Sequence, residues 1–242
     1  MKNLKLTWLT QGGFLIEADG KRIVVDPYLS NRLYEMMRKD ESMNRMMPSP
    51  IPYEELKPDL VCFTHDHADH YDPESVREII EVYPDCKFAG PASAYEHFIK
   101  DGYNKSNYTV IDVGGKFKDS SFEIVATPAY HSDKLAVGYI FKIGGKVLYI
   151  SGDTLFQDNL AADVKKAAGE HIDIACICIN GKLGNMPWED AVKVVSEIRP
   201  SFAIPMHYGL FARNTEDPKP FLSAVKKLGI EAEEPTVKGR VF

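Results

Sequence analysis

Three histidines and two aspartates fall within six residues, His65-Asp66-His67-Ala68-Asp69-His70, directly behind the apolar run Asp59–Thr64. A run of strand length that stops in so many polar rings must end at the rim of a buried sheet. There a loop can carry functional groups on a rigid support. His65 and His67 are two residues apart, so in an extended segment their side chains leave on the same side. Asp69 and His70 follow the turn toward the next helix and can face a second position. Left alone, these imidazoles and carboxylates would crowd one loop, and each needs a partner once buried. A divalent cation supplies it, because neutral imidazole and carboxylate are ligands of first-row metals. The cluster predicts a metal site rather than a solvated loop.

The segments around it set the architecture. Leu4–Leu9, Gly13–Ala18 and Lys21–Asp26 read as strands, with Asp19-Gly20 as a two-residue hairpin turn. Asp59–Thr64 is a further strand. Val76, Ile79, Ile80 and Tyr83 recur at helical spacing over 73–83, with Asp72 as N-cap and Pro73 at the first helical position. Strand-like and helix-like runs then alternate: Lys87–Ala89, a helix over Ala92–Lys100, then strands over Tyr108–Val113, Phe122–Thr127, Ala136–Ile143 and Lys146–Ile150. Gly144-Gly145 turns the last two into a hairpin. Helices over Leu160–Ala168, Trp188–Ile198 and Pro220–Leu228 flank strands Ile172–Ile179 and Phe202–Met206, and a last strand falls near 236–241. Hairpins mixed with strand–helix alternation exclude a purely parallel, doubly wound sheet. Two sheets packed face to face with helices outside, an α+β sandwich, satisfy both patterns. There is no linker-like segment, so residues 1–242 read as one domain. Residues 30–50 carry five methionines (Met36, Met37, Met43, Met46, Met47) and then Pro48-Ser49-Pro50-Ile51-Pro52. They read as a helix and loop packed on the surface, with a mobile flap as the alternative.

Composition narrows the function classes. The 242 residues hold 29 Lys plus Arg against 35 Asp plus Glu, a net charge of −6, with 44% hydrophobic residues. That apolar fraction excludes a disordered chain, and the acidic balance argues against nucleic acid as a partner. No window nears the ~20 apolar residues of a membrane helix, and the first residues lack a signal-peptide core. Cys62, Cys86, Cys176 and Cys178 fit no metal motif or disulfide framework and read as reduced and buried. A cytoplasmic location is expected, with a small molecule as partner; the Met-rich segment and acidic surface leave a homo-oligomer open.

Further polar residues stand just past other apolar runs: His131 in Ala129-Tyr130-His131, Asp153 in Ser151-Gly152-Asp153-Thr154, and His207 in Met206-His207-Tyr208-Gly209. Each alone is weak, since a single His at a strand end is usually a satisfied structural residue. Their order is what carries weight. The set T-H-x-H-x-D-H, a downstream His, S-G-D-T and a C-terminal P-M-H-Y resembles the metallo-β-lactamase-fold hydrolase superfamily over nearly the whole chain. The resemblance implies a four-layer αββα sandwich with the metal site at one edge between the sheets. It implies one metal on His65, His67 and His131, a second on Asp69, His70 and His207, and Asp153 bridging. Asn180–Met186 and Ile204–Pro218 are similar to the L-ascorbate-6-phosphate lactonase branch, although this chain is shorter than those lactonases.

These residues suit one or two divalent ions. Zinc, manganese and iron all accept five His and two Asp, and the lactonase branch implies manganese. The expected reaction is attack of a metal-activated hydroxide on a lactone, one that carries a phosphate in the lactonase branch. Asp69 is placed to take the water's proton. Asp153 is the second carboxylate of the centre. Tyr208 and Asn180 are candidates to donate to the oxyanion. Lys182 and Arg213 are candidates for an anionic substrate group, and Asp26, closing its strand, for a bond to a ligand imidazole. The alternative is a phosphodiesterase or nuclease of the same fold. A diiron redox protein is disfavoured, since such relatives carry Glu where this chain has His67. A non-catalytic relative would have lost ligands, and all seven are here.

Overall fold

Ile23, Val25, Leu60 and Cys62 face one side of their sheet while Val24, Val61 and Phe63 face the other, and both sets are buried. A strand apolar on both faces must be covered on both, and the computed structural model, which describes residues 3–242, shows how. The first sheet contains β1 (Lys5–Thr10), β2 (Gly13–Ala18), β3 (Lys21–Val25), β4 (Leu60–Cys62), β5 (Lys87–Gly90) and β6 (Tyr108–Val110). The second contains β7 (Lys116–Lys118), β8 (Phe122–Pro128), β9 (Val137–Ile143), β10 (Lys146–Ile150), β11 (Ile174–Cys178), β12 (Phe202–Met206) and β13 (Glu231–Ala232). The terminal β14 (Arg240–Val241) returns to pair with β1. The strand orders are β14-β1-β2-β3-β4-β5-β6 and β13-β12-β11-β10-β9-β8-β7.

Both halves repeat one plan. An antiparallel meander, β1–β3 or β7–β10, leads into parallel strands, β3–β6 or β10–β13. Parallel neighbours need crossovers. These hold α1 (Arg32–Met36), α2 (Tyr53–Leu56), α3 (Pro73–Val82) and α4 (Ala92–Lys100), then α5 (Leu160–Ala168), α6 (Trp188–Ile198) and α7 (Lys219–Lys227). Val76 and Ile79 of α3 and Phe98 of α4 cover the outer face of the first sheet. Val164, Val195 and Val225 of α5–α7 join the larger core that runs between the sheets. This is the expected four-layer sandwich of the metallo-β-lactamase fold. Asp72 caps α3 by accepting from the Glu74 backbone N–H at 3.1 Å, and Pro73 at its start forfeits no helical bond.

Several edges differ from expectation. β6 stops at Val110 rather than Val113, because the chain turns at Gly114 with φ +80°. The short edge strands β7 and β13 have too few residues to show a period and were not expected. Residues 30–50 form the packed helix and loop, with Met43 buried against Tyr28, Leu210 and Phe211. Arg45 ties this strap down by donating to the carbonyls of Tyr28, Ser30, Met47 and Pro48 and to Thr10 Oγ1. All four cysteines are free and buried. Among the described residues, no helix is long and apolar enough to cross a membrane.

Candidate metal centre

The ends of β4, β8, β10 and β12 lie at one edge of the sandwich, and the residues just past them converge. They deliver His65–His70, His131, Asp153 and His207 respectively. His65, His70, His131, Asp153 and His207 are buried, while His67 and Asp69 keep some exposure. His131 Nε2 lies 3.1 Å from His67 Nδ1, and His70 Nε2 lies 3.2 Å from His207 Nε2. Asp153 Oδ1 is 3.3 Å from His70 Nε2 and 3.1 Å from His207 Nε2, while its Oδ2 faces His131 Nε2 at 3.8 Å. Asp69 Oδ2 stands 3.4 Å from His207 Nε2. Ligand atoms ~2.0–2.1 Å from one tetrahedral cation lie roughly 3.3 Å from each other. Ligand atoms within 4.8 Å of one another form three sets that could draw in around an ion: His65/His67/His131, His65/His70/Asp153 and Asp69/His70/His207. The two outer sets match the expected pair of sites, and Asp153 reaches toward both.

Hydrogen bonds on the far side of the rings decide which nitrogen each presents. Asp26 accepts from the Thr64 backbone N–H at 2.8 Å and from Thr64 Oγ1 at 2.7 Å. The Thr64 hydroxyl has spent its proton, so it accepts from His65 Nδ1 at 3.0 Å. His65 Nε2 is then a bare acceptor, and it is buried with no hydrogen-bond partner. Asp26 Oδ2 also accepts from His70 Nδ1 at 2.7 Å. His131 Nδ1 donates to the Gly184 carbonyl at 2.9 Å. His67 is turned the other way: its Nε2 meets Ser132 Oγ at 3.1 Å and its Nδ1 faces the centre. Asp153 Oδ1 has the ring nitrogens of His207 and His70 for neighbours, at 3.1 and 3.3 Å and poorly aligned. A buried, unpartnered nitrogen on His65 and a buried carboxylate ringed by imidazoles are what a cation would satisfy. The residues present fit the group.

The electrostatics agree. Burial works against charge on His70 and His207, yet the carboxylates overcome it. His70 is raised well above the ordinary range by Asp153, Asp26 and Asp69, and His207 is pushed up to about 9 by Asp153 and Asp69. Burial likewise opposes ionisation of Asp153 and Asp69, but His207 and His70 hold both carboxyls below their usual range. Burial depresses His65 and His131 and keeps them neutral. Ionised Asp69 and Asp153 and the neutral rings of His65 and His131 thus stand ready as donors, while His70 and His207 must give up protons to a cation.

Two buried amides escaped the sequence reading. Gln11, in the link between β1 and β2, donates through Nε2 to Asp69 Oδ2 at 2.9 Å and touches the His207 ring. Asn185 donates to Asp153 Oδ2 at 2.8 Å and to Asn180 Oδ1 at 3.0 Å. Gln11-Gly12-Gly13 beside a buried strand was the available signal, because a Cβ on Gly12 would stand 2.8 Å from His70 Cε1.

Four candidate residues are not brought to the centre. Tyr208 turns away, stacked on Trp8 at 5.6 Å with its hydroxyl 3.3 Å from Glu234. Asn180 spends its amide on Asn214 Oδ1 at 2.7 Å and the Lys182 carbonyl, so it reaches Asp153 only through Asn185. Lys182 Nζ donates to the Thr215 carbonyl at 3.0 Å, and Arg213 pairs with Asp40 at 3.5 Å. Asp26 is where it was expected, behind a ligand ring.

Residues 5–207 match the model of a beta-lactamase superfamily domain. The chain is 30% identical to a UPF0173 metal-dependent hydrolase of Methanopyrus kandleri, over 95% of each chain. It is 31% identical to another from Caldivirga maquilingensis, over 92% of this chain and 90% of that one. Among solved structures it is similar to Igni18, a metallo hydrolase from Ignicoccus hospitalis. The TM-score is 0.80 at 27% identity, covering 99% of this chain and 98% of that one. Fold, ligand set and these relatives together place the chain in the metallo-β-lactamase superfamily, within the UPF0173 metal-dependent hydrolase family.

Proposed function

We propose that the protein hydrolyses a lactone or similarly compact ester at a centre of one or two divalent cations. The observation that carries this reading is the orphaned, buried His65 Nε2 inside a shell of four further imidazoles, Asp153 and Asp69. His65, His67 and His131 would hold one cation, and Asp69, His70 and His207 a second, with Asp153 between them. Bound there, divalent cations supply a water of lowered pKa and a Lewis acid for the carbonyl oxygen.

The chain's own groups do the rest. Asp69 stands beside His207 and keeps some exposure, which puts its carboxylate on the solvent side of the centre, where it can take the attacking water's proton. Asp26 and Thr64 keep the rings of His65 and His70 in the tautomers that point Nε2 inward. The exposed Ser132 and half-buried His67 mark the open side, where a substrate enters. Lys182 and Arg213 are already engaged by Thr215 and Asp40. That favours an uncharged lactone over a phosphorylated one such as L-ascorbate 6-phosphate.

The test is an assay of the manganese- and zinc-loaded protein against neutral lactones, phosphorylated lactones, thioesters and phosphodiesters. Metal-dependent turnover of neutral lactones, lost in Asp153→Ala, is expected. Turnover confined to phosphodiesters or nucleic acid would replace the lactonase reading with the phosphodiesterase one.

A further inference from the structure

Gln11 is fully buried, yet it occupies a backbone conformation that side chains avoid. Its φ is +50°, and that of Thr10 before it is +76°. Consecutive left-handed residues persist only where the surroundings over-determine them, and such residues gather at functional sites. Here the surroundings are the centre itself. The Gln11 carbonyl accepts from the His207 backbone N–H at 3.0 Å and from Trp8 Nε1 at 3.1 Å. Its side-chain Nε2 donates to Asp69 Oδ2 at 2.9 Å and lies 3.2 and 3.4 Å from the two nitrogens of His207. The neighbouring Gly12 leaves room for the third member of that set, His70. Asp69 follows a strand of the first sheet and His207 a strand of the second, so one side chain spans the gap between them. No hydrogen bond joins the Gln11 side chain to His65, His67 or His131.

We propose that Gln11 is a positioning residue for one cation of the two: it sets Asp69 and His207 as a ligand pair, and its loss weakens the Asp69/His70/His207 site selectively. The proposal rests on the metal-centre reading above. An amide suits the task because it donates to the carboxylate without carrying charge. A lysine there would compete with the cation for Asp69, and a carboxylate would repel Asp69.

The test uses Gln11→Met, which keeps the volume and removes the donor, and Gln11→Ala. Metal-free wild type and variants are titrated with Mn(II) by calorimetry, and the loaded proteins are read by electron paramagnetic resonance. The wild type is expected to take up two ions with a spin-coupled signal. The variants should keep one affinity and lose about 10- to 100-fold in the other, the usual cost of removing a group that orients a ligand. At stoichiometric Mn(II) the coupled signal should give way to that of isolated ions. In a His131→Ala background, which disables the other set, Gln11→Met should weaken the remaining site by the same factor. Unchanged affinities in both variants would overturn the proposal, and so would an equal loss at both sites. A wild type that takes up fewer than two ions would overturn the proposal together with the two-cation form of the reading beneath it.

Discussion

Asp26 shows how much one carboxylate outside the ligand set can decide. It orders Thr64, Thr64 orders His65, and Asp26 itself orders His70. Asp26→Ala should therefore weaken cation binding by about 10- to 100-fold, measured by titration of the metal-free protein. The raised histidines add a pH dependence with a definite sign. The carboxylates that push His207 up to about 9 and raise His70 hold protons on this pair at neutral pH in the metal-free protein. A cation must displace those protons, so its affinity should climb as pH rises toward about 9. Asp69 and Asp153 are already ionised there and add nothing in this range. The metal-free fold should behave oppositely. Stability from raised histidines is complete below their unfolded pKa of ~6.5. It is lost as pH rises through the folded value, about 9 for His207. Melting curves with and without Mn(II) between these limits should thus diverge with rising pH, and parallel curves would refute the assignment. At Arg213, exposed and paired with Asp40, Arg213→Ala should leave Tm and the KM for a neutral lactone unchanged.

At the scale of elements, function sits where strands stop. Gly152, just past β10, has φ +58°, and a Cβ there would lie 2.7 Å from the Val137 carbonyl oxygen. Gly152→Ala should cost roughly 1–3 kcal/mol in backbone strain, which is about 2–12 °C in Tm for a chain of this size. It should also displace Asp153 and reduce cation uptake. The strap over residues 30–50 is held by Met43 under Tyr28 and by the five donations of Arg45. Most elements were legible: β1–β4 as short apolar runs bounded by turn residues, α3 and α6 by a period near 3.6. β7 and β13 were not, since segments of three and two residues contain no period and exist through pairing with β8 and β12. β11 is shorter than its apolar run because Ile172 and Ile179 are buried outside the ladder.

For the molecule as a whole, the centre is a joint between two sheets. His65, His67, Asp69 and His70 come from the first, and His131, Asp153 and His207 from the second. A cation bound across them should stabilise the whole sandwich. At a free concentration of about 100 times Kd the gain is ~2.7 kcal/mol, or roughly 5–11 °C in Tm, readable by calorimetry against a chelated sample. The layered fold was legible in the sequence by itself, and so, through donor types at strand ends and the family resemblance, were the seven candidate ligands. Donor types and strand-end positions are local properties, and the two apolar faces of β4 require cover on both sides. Asp26 apart, only the tertiary structure decided which side chains serve those candidate ligands. Tyr208 stands next to His207 in the chain but is drawn to Trp8 and Glu234. Gln11 stands 58 residues from Asp69 and 196 from His207, yet touches both. Contacts between residues so far apart in sequence form only when the two sheets close on their common core, so no local pattern announces them.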